Sequence, residues 1–128
     1  MGPGKEGLFL DLGRSGGAEE LLKRFPPPRF FVARVDGGKI AGKAELMEAL
    51  ASAFRFPAYF GRNWDALLDC LRSLPDEVPA EGYVLAVENS ALFLSASAGD
   101  KNDFSEVAED ARAFLEEKYK VPFVIALL

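Results

Sequence analysis

There is no histidine among the 128 residues of the chain. That removes the commonest general base near neutral pH and the commonest side-chain metal ligand. A Ser-His-Asp or Cys-His site cannot be assembled within the chain. The single cysteine, Cys70, excludes an internal disulfide and a cysteine-built zinc cluster, and one unpaired thiol suits a reducing compartment. No uninterrupted apolar run is long enough to span a bilayer. The opening Met1-Gly2-Pro3-Gly4-Lys5-Glu6 lacks the charged start, apolar stretch and cleavage site of a secretory signal. The expectation is a cytoplasmic protein with no cofactor, no metal and no membrane partner. Positive charge is also scarce: 15 Lys and Arg against 20 Asp and Glu leave a net charge of −5. Such a chain is repelled by nucleic-acid backbones and suits a basic protein partner, although mild acidity is common in cytosolic proteins.

The length is that of one domain, and it suffices to bury one core unaided. A hydrophobic fraction of 49% and a charged fraction of 27% are ordinary for a globular domain. Residues 1–7 read as a frayed tail. Leu8–Leu12 is a short strand candidate and Ala18–Phe25 a short helix, which Pro26-Pro27-Pro28 ends. The proline triple reads as a stiff connector between an N-terminal extension (residues 1–29) and the main body (30–128).

Phe30–Val35 is β-branched and aromatic, hence a strand, followed by a turn at Asp36-Gly37-Gly38. Leu46, Leu50, Ala53 and Phe54 recur at helical spacing over Lys43–Phe54. Asn63 is a good N-cap for a helix from Trp64 to about Ser73. Pro75–Gly82 reads as a polar loop, and Tyr83–Val87 as an apolar strand covered on both faces. A short helix is placed near Ser90–Ser95, a loop over Ser97–Asp103, and a long helix from a Ser105 cap to about Lys118. Phe123–Leu128 is the last strand. Strands separated by helices point to a small parallel sheet.

The informative stretch is Phe56–Leu74, FPAYFGRNWDALLDCLRSL. At 100° per residue Leu67, Cys70 and Leu71 point together toward a core. Asp65, Asp69 and Arg72 share the opposite side, with Trp64 and Leu68 at the border. Asp65 and Asp69 are four apart and repel. Asp65 has an ordinary explanation in the helix dipole. Asp69 lies too deep in the helix for that, and its ordinary explanation is pairing with Arg72 at i,i+3. The conjunction with Tyr59, Phe60 and Trp64 turns the reading toward an acidic protein interface with aromatic anchors.

This stretch resembles the barstar family, intracellular inhibitors of the bacterial ribonuclease barnase. The likeness rests on Phe56-Pro57, Tyr59, Gly61, Asn63, Asp65-Ala66-Leu67 and Asp69-Cys70-Leu71. Weaker apolar matches carry it across residues 30–128. The resemblance implies an α/β fold, a three-stranded parallel sheet packed with about four helices, here with Leu8–Leu12 as a candidate extra N-terminal edge strand. It implies that the 64–73 helix and the loop before it enter a ribonuclease's cationic active site. In that likeness Asp69 is the dominant anchor and Asp65 a second acidic contact. Tyr59 lies over the nuclease's site, and Gly61, Asn63 and Ala66 pack closely. Glu116 best matches a further acidic contact from the last helix. With Phe60, Trp64, Leu68 and Arg72, these complete the expected partner-binding set.

Departures from the family's best-known member are Arg62 for a glutamate, Arg72 for a threonine, Leu68 and Leu74 for tryptophans and Trp64 for a leucine. The two arginines suggest an acidic rim on the partner. The expected function is therefore inhibition of a small basic, barnase-like ribonuclease by a protein that is monomeric when free and is not an enzyme. A second reading keeps the fold as a binding module with a non-nuclease partner, motivated by Arg62 and Arg72. A third, in which Asp65 and Asp69 act as an acid–base pair, requires both to flank one pocket. The extension either adds an edge strand, with the 18–25 helix as crossover, or mediates self-association.

Overall fold

The computed structural model describes residues 8–13 and 17–128; the tail expected over residues 1–7 lies outside them. Four parallel strands form one sheet in the order β1–β4–β3–β2. They are β1 (Phe9–Asp11), β2 (Phe30–Asp36), β3 (Gly82–Glu88) and β4 (Phe123–Leu127). Among the described residues five α-helices connect them: α1 (Ala18–Arg24), α2 (Lys43–Ala53), α3 (Trp64–Arg72), α4 (Leu74–Glu77) and α5 (Ala98–Tyr119).

The sheet has four strands and not the three that the family resemblance implies, because the N-terminal candidate is built into it. Phe9, Leu10 and Asp11 stand opposite Ile125, Ala126 and Leu127 of β4. The period of two along the strands explains why the extension is taken up. Ala33, Val35, Tyr83, Leu85, Val87, Phe123 and Ile125 point to one face and form the main core with α2, α3 and α5. Val84, Ala86 and Ala126 point to the other face, where Leu12 and Leu21 bury them. A strand as apolar as β3 needs cover on both sides, and α1 supplies the second cover.

Three boundaries differ from the sequence reading. The long helix begins at Ala98, so the loop expected over Ser97–Asp103 is its first turns, and Ser97 in place of Ser105 is the cap. The Ser97 hydroxyl accepts the Asp100 N–H at 3.1 Å. The Asp100 carboxylate in turn accepts the Lys43 N–H at 2.8 Å, so α5 caps α2 across the fold. The expected polar loop after Leu74 begins as the single turn α4, with Pro75 in the first turn, where a missing N–H is tolerated. The helix placed near Ser90–Ser95 is only a 3-10 turn over Ser90–Leu92.

Candidate protein interface

Helix α3 starts where Asn63 turns its side chain back: its Oδ1 accepts the Ala66 N–H at 2.8 Å. Asp65 in the first turn and Arg72 in the last complement the helix dipole. Leu67 and Leu71 are fully buried, and they fix the rotation of the helix. Trp64, Ala66, Leu68 and Cys70 are half-buried at the flanks of the core. Asp65 and Asp69 are exposed, one turn apart on the outer face. Asn63 and Gly61 are exposed at the head of the same helix.

The loop before α3 stands on an aromatic footing. Phe54 stacks on Phe56 at 5.9 Å between ring centroids, and Phe56 meets Phe60 at 5.1 Å. Phe60 is only 4% exposed. It is the foot of the loop and not one of the exposed aromatics the sequence suggested, because its neighbours Phe56 and Leu-rich α3 take it inward. Tyr59 beside it is 83% exposed. A Cβ on Gly61 would come within 3.3 Å of the Asn63 amide and 3.4 Å of the Ala66 Cβ, so glycine lets the loop lie close on α3.

Both arginines make their contacts within the chain and pair with neither aspartate, Arg62 on the exposed surface and Arg72 half-buried. Arg62 has a left-handed backbone, with φ 56°. It donates to the Phe60 carbonyl at 3.0 Å and pairs with Glu48 of α2, holding the Glu48 carboxyl below its ordinary range. Arg72 does not pair with Asp69. Its guanidinium lies 4.9 Å from the ring centroid of Phe114 on α5, and its Nε is buried without a hydrogen-bond partner. A ring face is a good seat for such a weakly hydrated cation. Among the described residues neither Asp65 nor Asp69 has an ion pair. The face thus carries two unneutralised carboxylates, and the motive for an acidic rim on the partner disappears.

Glu116 is not brought to this face. It accepts from Arg112 at 3.1 Å and, at about 100° per residue, lies about 200° around α5 from Phe114, the residue that meets α3. Asp110 and Glu117, four before and three after Phe114, share its side and are exposed. The rotation of α5 is set by Ala108, Ala111 and Leu115 in the core. A recess of about 120 Å³ beside Asp69 is lined also by Glu77 but not by Asp65. The two aspartates therefore do not flank one pocket. Cys70 also borders that recess; burial first, then the charges of Asp69 and Glu77, push its thiol pKa up, which suits a small packed side chain and not a nucleophile.

Residues 30–127 match the family described as Barstar (barnase inhibitor). A protein of Bacillus subtilis (strain 168), named "Putative ribonuclease inhibitor YrdF", is 33% identical over 87 residues, covering 68% of this chain and 91% of that protein.

Proposed function

Because the chain belongs to the barstar family, we propose that it inhibits a small basic ribonuclease by placing α3 and the Tyr59–Asn63 loop in the enzyme's cationic active site. The observation that carries this reading is the pair of exposed, unneutralised carboxylates, Asp65 and Asp69, on a helix pinned by Leu67 and Leu71. A nuclease gathers arginine and lysine to hold phosphates, and a carboxylate on a rigid helix meets such a cluster with charge-assisted hydrogen bonds. Rigidity matters because little ordering remains to be done on binding. Tyr59 adds a large exposed ring beside the charge. The mode of action is occlusion and not catalysis.

Arg62 and Arg72 motivated a non-nuclease partner, and both are engaged within the chain, so no observation favours that alternative. The test is RNA cleavage by a panel of small basic microbial ribonucleases, with and without an equimolar amount of the protein. Stoichiometric inhibition that Asp69→Ala abolishes is the expected result. Full cleavage by every member of the panel refutes the ribonuclease reading.

A further inference from the structure

The loop that carries Tyr59 into the proposed interface has little backbone structure to hold it. From Ala58 to Arg62 the only backbone–backbone hydrogen bond among the described residues runs from the Phe60 N–H to the Pro57 carbonyl, at 3.0 Å. The buried Phe60 ring anchors the middle of the loop in the core. The far end is tied by the side chain of Arg62. Its Nη1 donates to the Phe60 carbonyl at 3.0 Å, and its guanidinium lies 5.8 Å from the Phe60 ring centroid. Its Nε donates to one carboxylate oxygen of Glu48 on α2, and its Nη2 lies 3.5 Å from the other. Among the described residues no other side-chain hydrogen bond ties residues 57–62 to a helix or strand. Arg62 also has a left-handed backbone, φ 56°. A residue with a Cβ stays there only when its surroundings hold it, and the contacts of the guanidinium are such a hold.

We propose that Glu48 and Arg62 form a clamp that sets the Tyr59–Asn63 loop in its partner-binding conformation before any partner arrives. Arginine suits this task, because its planar fork can serve a carboxylate and a carbonyl while its face lies on a ring. An isolated exposed ion pair contributes little, but a pair built into a network of contacts contributes more. A loop that is already ordered loses less freedom on binding, so affinity rises without a new contact to the partner. Glu48 lies outside the contact set proposed for α3 and its loop. It acts on a partner only through Arg62, and is therefore a positioning residue. This inference rests on the binding role proposed for the loop and adds a determinant of affinity from α2.

The first test needs no partner: backbone amide order parameters are measured by NMR on the intact chain. Tyr59 and Gly61 should lie in the rigid range, near about 0.85, and Glu48→Gln and Arg62→Gln should each move them toward the flexible range below about 0.6. Leu67 and Leu71 of α3 should not change. Glu106→Gln, which removes an exposed carboxylate from α5, should leave the loop as ordered as before. A loop equally ordered in Glu48→Gln, or already mobile in the unaltered chain, overturns the proposal. The second test is a double-mutant cycle on affinity for a ribonuclease that the protein inhibits. Each single variant should weaken binding by about threefold or more. The double variant should lose no more than either, because both remove one clamp. Undiminished affinity in Glu48→Gln would mean that Arg62 meets the partner directly, and it overturns the proposal, as do additive losses. The two readings fail separately. Loss of loop order without inhibition of any ribonuclease removes only the nuclease target. Inhibition with loop order untouched by Glu48→Gln removes only the clamp.

Discussion

Replacing Leu21 with alanine tests whether α1 is part of the cooperative fold or a loose appendage. Leu21 is fully buried, against Leu12, Val84, Ala86 and Ala126. Leucine-to-alanine changes in closed cores cost about 2–5 kcal/mol, the value rising with the cavity left behind. This site has one seven-residue helix as its roof, and such a roof can settle onto a smaller side chain. The expected cost is therefore about 2.5 kcal/mol, in the lower half of that range. An unfolding entropy of about 2.1 cal/mol/K per residue gives about 270 cal/mol/K for the chain, so the midpoint should fall by about 9 °C. Leu22, 41% exposed on the same helix, is the control, and Leu22→Ala should stay within about 0.5 kcal/mol. Urea unfolding of both variants at constant m-value is the assay. A loss below about 0.5 kcal/mol for Leu21→Ala would refute the claim that α1 closes the second face of the sheet.

Asp69→Ala should weaken binding to an inhibited ribonuclease by about thirtyfold or more, the threshold of an interface hot spot, with an unchanged fold by circular dichroism; equal affinity in a calorimetric titration would remove Asp69 as the anchor. Association should slow steeply as salt is added, because exposed carboxylates steer a cationic partner through a screened field; a flat stopped-flow profile would contradict this. Asp36 is held below its ordinary pKa of 3.8, chiefly by Asn89 and then by the Gly38 N–H, and Glu48 below 4.5 by Arg62. Depressed folded-state values stabilise the fold above those ordinary values and lose that contribution as pH falls through the folded ones. The urea midpoint should therefore decline in acid below about pH 4, and less so in Asp36→Asn; an equal decline in that variant would show the loss to arise elsewhere. A Cβ at Gly37 would lie 2.8 Å from the carbonyl oxygens of Glu88 and Asn89, so Gly37→Ala should cost about 1–3 kcal/mol, read as a lowered thermal midpoint.

What could be read in the sequence follows from the range of the forces involved. Asn63 announced the start of α3 because its cap closes within three residues, and Leu67 and Leu71 announced the buried side because helical periodicity is local. The unbroken apolar run of β3 already called for cover on both faces, so β1 and α1 were foreshadowed. Partners far along the chain were not legible. Arg72 has Asp69 three residues away and instead takes the Phe114 ring, an outcome fixed by how α3 packs along α5. Arg62 is a surface charge, as it looked, but its partner Glu48 comes from α2, fourteen residues back along the chain. The start of α5 was hidden because Gly99 and Asp100 resemble a loop, and only the Lys43 N–H waiting across the fold makes Asp100 a cap. Glu77 was assigned to a loop, and its place beside Asp69 depends on the turn of α4.

The two faces of the sheet answer to different demands. One carries the helices of the proposed recognition surface; the other is paved by a separate set of residues. An inhibitor acting one-to-one protects only in proportion to the number of folded copies, and losses of one or two kcal/mol can change abundance in a cell several-fold. Changes at Leu12 or Leu21 would therefore alter the dose of inhibitor while leaving each surviving copy as potent as before. Supply and potency can be tuned independently, by opposite sides of the same four strands.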